Sequence, residues 1–103
     1  MSVKQFDDII WEKTYYGKRK TLMKEDFKMP LTIRYINVET EVKRHTHPHG
    51  EVLFVIEGEG IVNIDREEKK IKPGTLIIAP PKIMQGIRRT GNKNVKMLAI
   101  LPE

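Results

Sequence analysis

The chain is a succession of short runs rich in Val, Ile, Leu and Thr, broken by clusters of Gly, Pro, Asn and Asp. Such runs, four to eight residues long and closed by turn residues, are the pattern of an all-β barrel or sandwich. They predict strands at Thr21–Met23, Leu31–Val38, Glu41–Thr46, Glu51–Ile56 and Gly60–Ile64, followed by Lys69–Ile71, Leu76–Ala79, Gly86–Arg89 and Val95–Leu101. Asp65-Arg66-Glu67-Glu68, Lys72-Pro73-Gly74 and Thr90-Gly91-Asn92-Lys93-Asn94 read as turns, since Gly and Asn accept left-handed backbone conformations. Asp7–Tyr16 carries Ile9, Ile10, Trp11, Tyr15 and Tyr16 and reads as an extended arm; a short helix capped by Asp7 or Asp8 and an extra edge strand are the other readings. With 103 residues and no repeat or linker, the chain makes one domain, expected as an arm over residues 1–20 and a barrel over residues 21–103.

Side chains alternate between the faces of a strand. In Glu51–Ile56 the set Glu51, Leu53 and Val55 is expected inside, with Val52, Phe54 and Ile56 outside. The outside set is nevertheless fully apolar, and Val95–Leu101 repeats this doubling with Met97, Ala99 and Leu101 against Leu98 and Ile100. An apolar outer face needs a cover. The pattern predicts a homodimer packed sheet on sheet, with the N-terminal arm as the alternative cover.

Charge and composition narrow the function. Nineteen Lys and Arg against fourteen Asp and Glu leave a net charge of +5. Only Lys18-Arg19-Lys20 forms a dense basic cluster, with doublets at Lys69-Lys70 and Arg88-Arg89, and no aromatic platform accompanies them. Nucleic acid is therefore not an expected partner. No apolar run is long enough for a transmembrane helix, so no membrane role is expected. The acidic start, Met1 to Asp8, is unlike a signal peptide and predicts a cytoplasmic protein. The absence of cysteine removes disulfides, thiolate zinc sites and cysteine nucleophiles.

All three histidines fall in His45-Thr46-His47-Pro48-His49, followed by Gly50-Glu51. On an extended strand His45 and His47 share a face, and Pro48-His49-Gly50 reads as a corner before Glu51 opens the next strand. Two imidazoles and a carboxylate aimed inward form a set suited to one divalent transition metal: iron, manganese, nickel or zinc. Burying three polar side chains unpaired costs several kcal/mol, which a cation relieves. The corner is expected to turn His49 onto the rim, as a spare ligand at most.

His45-x-His47, three residues, Glu51, six residues and Gly58 resemble the first motif of the cupin superfamily. Pro73-Gly74 through Ala79, then Pro80-Pro81-Lys82-Ile83-Met84-Gln85, resemble the second, and Leu22 to Leu101 span a single barrel of that kind. The resemblance implies an all-β, double-stranded β-helix (jelly-roll) fold with metal ligands at His45, His47, Glu51 and Gln85. This chain departs from the family's pattern at Thr75, Lys82 and Arg89, at Glu39 upstream, and at Gln85, where the family places a fourth histidine. The Gln85 amide oxygen can ligate a hard ion; alternatively the side chain orients water or substrate beside a three-ligand site, or marks a lost site. Leu53, Val55, Leu76, Ile78 and Met97, with Ile33 and Tyr35, are the expected apolar walls. Arg34, Tyr35 and Arg88 are the candidate polar contacts, although both arginines are read as surface residues. Two functions fit: a metal-dependent enzyme on a small organic substrate, dioxygenase-like ahead of isomerase or lyase, or a non-enzymatic barrel that binds or senses a small molecule or metal. The residues assign no catalytic group beyond the metal set.

Overall fold

A computed structural model describes residues 2–24, 26–28 and 30–103; Met1, Glu25 and Met29 lie outside the described residues. Among the described residues, ten strands follow one 3₁₀ turn at Phe6–Asp8: β1 (Glu12–Lys13), β2 (Gly17–Lys24), β3 (Leu31–Val38), β4 (Glu41–His45), β5 (Glu51–Glu57), β6 (Gly60–Ile64), β7 (Glu67–Ile71), β8 (Leu76–Ala79), β9 (Gln85–Arg89) and β10 (Val95–Pro102). They form a six-stranded sheet in the order β1-β2-β3-β10-β5-β8 and a four-stranded sheet in the order β4-β9-β6-β7. All pairings are antiparallel. This is the jelly-roll architecture expected from the sequence.

The buried face of each sheet follows the alternation. Leu53 and Val55 on β5, Val95, Met97 and Ala99 on β10, and Val38 on β3 are sealed between the sheets, joined by Val62, Ile77 and Ile87. The strand expected at Thr21–Met23 is longer, beginning at Gly17, so β2 crosses the expected limit of the arm at residue 20. The hairpin after β6 is tighter than expected: Ile64 pairs with Glu67, leaving Asp65 and Arg66 as its two loop residues, with Asp65 at φ 55°. Asp tolerates that left-handed conformation better than most residues.

Four expected wall residues point the other way. Leu76 and Ile78 are 57% and 64% exposed, while Ile77 and Ala79 face inward. The run Leu76-Ile77-Ile78-Ala79 is apolar throughout, so its own alternation carries no face. Pairing decides it: Leu53, already inside, lies opposite Ile77. Ile33 and Tyr35 are outside for the same reason, since Tyr35 pairs with Leu98 and Arg34 with the buried Ala99.

The arm covers only part of the outer face. Phe6 and Trp11 pack edge-on against Tyr35, with ring centroids 4.8 and 6.1 Å away. Lys20, 3% exposed, lies beneath them: its Nζ is 3.8 Å from the Phe6 ring centre and donates to the Phe6 carbonyl at 2.6 Å. Phe54, Ile56, Leu76 and Ile78 on β5 and β8 remain exposed.

Candidate metal centre

The centre sits at one end of the gap between the sheets. His45 ends β4, where its register partner on β9 is Gln85, so both side chains face the same interior. Val42 pairs with Ile87 two residues further along β9, whereas His45 is three residues beyond Val42; the extra residue is a bulge. Without it, an odd separation would put Val42 and His45 on opposite faces. The bulge turns His45 into the cavity that Val42 already lines.

His47 lies on the segment crossing from the four-stranded to the six-stranded sheet. Its carbonyl accepts hydrogen bonds from the backbone N–H groups of Gly50 (3.3 Å) and Lys82 (2.9 Å), which pins the corner. Gly50 closes that corner at φ 84°, and a Cβ there would lie 2.8 Å from the Ala79 carbonyl oxygen. Only glycine suits both constraints. The chain thereby re-enters the barrel with Glu51 facing in, opposite Ala79. His49 is exposed in the turn, the rim position expected for it.

His45, His47 and Glu51 each present a donor atom, all within 4.8 Å of one another. The two Nε2 atoms are 3.0 Å apart, and His47 Nε2 is 3.6 Å from Glu51 Oε1. Donors held about 2.1 Å from one ion at angles of 90–110° would lie roughly 3.0–3.4 Å apart. The imidazole pair meets that spacing and the carboxylate stands slightly wider, so a small side-chain adjustment would bring the set onto one cation. His45 Nδ1 lies 2.7 Å from the Lys43 carbonyl, an oxygen that only accepts. The ring proton therefore belongs on Nδ1, leaving the Nε2 lone pair aimed at the centre.

Gln85 joins the cluster in a different role from its neighbours. Its Nε2 donates to Glu51 Oε1 at 3.0 Å, and the side chain is 2% exposed. The amide holds the carboxylate by its proton-bearing end. Burial raises the Glu51 carboxyl above its usual value, opposed in part by His45, the Gln85 bond and Arg34. Burial, with help from His45 and Arg34, lowers the His47 imidazole below its usual value and keeps its lone pair free near neutrality.

A cavity of about 310 Å³ opens beside the donors. Ile36, Val42, Leu53, Ile87 and Ala99 form its apolar walls; Arg19 and Arg34 face it, and Tyr15 and Tyr16 come from the turn between β1 and β2. Tyr15 accepts a hydrogen bond from the Lys43 backbone N–H at 3.1 Å, which ties that turn across to β4. Burial raises the Tyr16 phenol, with Arg19 opposing. The N-terminal segment thus helps to build the cavity, a role its sequence did not suggest. The expectation of surface arginines fails at Arg34, because its partner Ala99 is an inward residue.

Residues 33–101, about two thirds of the chain, match the model of the family described as "Cupin domain". The chain belongs to the cupin domain family. This cupin is 28% identical, over an alignment covering 84% of its length and 82% of the other's, to the uncharacterized protein MJ1618 of Methanocaldococcus jannaschii. Among solved structures it is similar to an RmlC-like cupin from Shewanella frigidimarina: TM-score 0.84, 24% identity, covering 96% of this chain and 87% of that one. It is also similar to KdgF from Halomonas: TM-score 0.85, 19% identity, covering 100% and 94%. Likeness at these identities speaks for the fold. The turn carrying Tyr15 and Tyr16, with Arg19, precedes the matched residues, so this wall of the cavity lies outside the family's shared pattern.

Proposed function

We propose that this cupin is a metal-dependent enzyme acting on a small organic molecule, with dioxygenase-type chemistry ahead of isomerase or lyase chemistry. One observation carries the proposal: two imidazole nitrogens and one carboxylate converge at the wall of a cavity, while Gln85 turns its amide nitrogen to Glu51. Three protein donors with the cavity beside them make a facial set, and such sets with open positions favour iron oxygenase chemistry over purely structural zinc. A bound iron, manganese, nickel or zinc ion would supply Lewis acidity and, for iron, redox chemistry. The chain's own residues do the rest. His45 and His47 hold the cation by Nε2, Lys43 fixes the His45 tautomer, and Gln85 keeps the Glu51 carboxylate oriented. Burial makes Glu51 a readier proton acceptor than an exposed carboxylate, and the apolar walls limit the water around the reacting molecule.

Elemental analysis of the purified protein beside a His47→Ala variant tests the site. About one transition metal per chain, lost in the variant, is the expected result. Oxygen uptake with small diketones, catechols or flavonols then tests the reaction. No consumption with iron, manganese or nickel would sink the dioxygenase assignment, and bound metal without any turnover would favour a binding barrel. The proposal includes a homodimer: Phe54, Ile56, Leu76 and Ile78 form an exposed apolar face that the N-terminal arm leaves free.

A further inference from the structure

Arg34 is the one cavity-lining cation without a partner of its own among the described residues. Its neighbour Arg19 lies 3.9 Å from Glu12, whose Oε1 also accepts a hydrogen bond from Thr21 at 2.6 Å. Glu12 is therefore engaged by β2. Arg34 makes no salt bridge or side-chain hydrogen bond among the described residues. Its Nε is buried without a hydrogen-bond partner, as is that of Arg19, but only Arg19 has a carboxylate within ion-pair distance. Burying a guanidinium N–H without an acceptor is costly, and the half-buried Arg34 lines the cavity, where an acceptor from outside the chain can reach it.

The register shows where that acceptor would sit. Arg34 pairs with Ala99 on β10, and Ala99 pairs in turn with Leu53 on β5, two residues from Glu51. Alanine at 99 leaves open the space above the sheet that a larger side chain would fill, and the cavity spans it. Adjacent strands lie about 4.8 Å apart, so the Arg34 and Leu53 backbones are separated by roughly 10 Å of sheet, bridged by this small residue. The cavity, about 310 Å³, is of a size for a small organic molecule. With Arg19 paired to Glu12, Arg34 is the lining cation left to meet an anion.

We propose that Arg34 anchors a carboxylate on the molecule this cavity takes, so that the ligand is a small organic acid held between the guanidinium and the metal-ligand cluster. The planar fork of Arg matches a carboxylate in two parallel hydrogen bonds, which Lys cannot reproduce. This rests on the reading of the cavity as the substrate site and adds the substrate class.

Acetopyruvate is a suitable probe: its diketone can address the metal end while its carboxylate reaches Arg34, and its methyl ester keeps the diketone but replaces the charged carboxylate with a neutral group. Calorimetric titration of zinc-loaded protein is expected to show wild type binding the acid at least ~10-fold more tightly than the ester. Arg34→Met should lose that preference by weakening the acid alone, and Arg34→Lys should keep part of it. Equal affinity of wild type for acid and ester overturns the proposal, as does binding of neither, or acid affinity unchanged in Arg34→Met. Zinc content is measured on the same samples. If wild type holds no zinc, the metal assignment fails; an acid preference that persists in metal-free protein and vanishes in Arg34→Met still supports Arg34. The wild-type comparison and Arg34→Lys keep the test decisive if Arg34→Met does not fold.

Discussion

Replacing Gln85 with methionine isolates a single hydrogen bond. The side chains are similar in length, and Gln85 is nearly sealed from solvent, so the main loss is the 3.0 Å bond from its Nε2 to Glu51 Oε1. A hydrogen bond to a charged group contributes about 1.5–3 kcal/mol. That bond favours the ionised carboxylate, the form a metal needs, so its loss should weaken zinc binding by about 10- to 100-fold near neutral pH. The direction with pH follows from the same bond. It holds the Glu51 proton affinity down against the effect of burial, so removing it lets Glu51 take up a proton at higher pH. Since that proton competes with the metal, affinity in the variant should begin to fall at a higher pH than in wild type. Competition with a chromophoric zinc chelator, from mildly alkaline to mildly acidic buffer, measures both effects, and melting curves check folding. Zinc affinity within about twofold of wild type, with the same pH dependence, would refute the role assigned to Gln85.

Stability of the metal-free protein should depend on pH through His47. Its folded value lies below the usual 6.5, so the unfolded chain takes up a proton that the folded one refuses, and stability falls as pH drops below about 6.5. Glu51, raised above its usual 4.5, acts oppositely: its folded form holds a proton longer, so its destabilising effect is relieved as pH falls through its folded value. Comparing urea denaturation of wild type and His47→Gln isolates the first effect; the stability difference should shift against wild type below about pH 6.5, and a constant difference would contradict it. For the outer face, Ile78→Lys places a charge on a residue 64% exposed and should turn a dimer into a monomer by analytical ultracentrifugation. A wild type that sediments as a monomer at micromolar concentration would refute the homodimer.

Much of this molecule was legible in order along the chain. The spacing of His45, His47 and Glu51, the corner at Pro48-His49-Gly50 and the inward set Glu51, Leu53 and Val55 all follow from local alternation and turn chemistry. These are short-range properties, and a strand carries them wherever it is placed. Pairing and bulges depend on a partner strand. Leu76-Ile77-Ile78-Ala79 is apolar on both faces, so only its register against β5 put Ile77 inside and Ile78 out. Arg34 became a cavity residue only because Ala99 lies opposite it, and a bulge against β9 turned His45 inward beside Val42. Gln85 stood out in the sequence as the residue at a ligand position that was not histidine. Its hydrogen bond to a carboxylate 34 positions earlier exists only because β5 and β9, on different sheets, meet at one end of the barrel. Sequence determined which groups could do chemistry here; long-range pairing decided which of them share a cavity, since a strand's face is set by its neighbours whenever both faces are apolar.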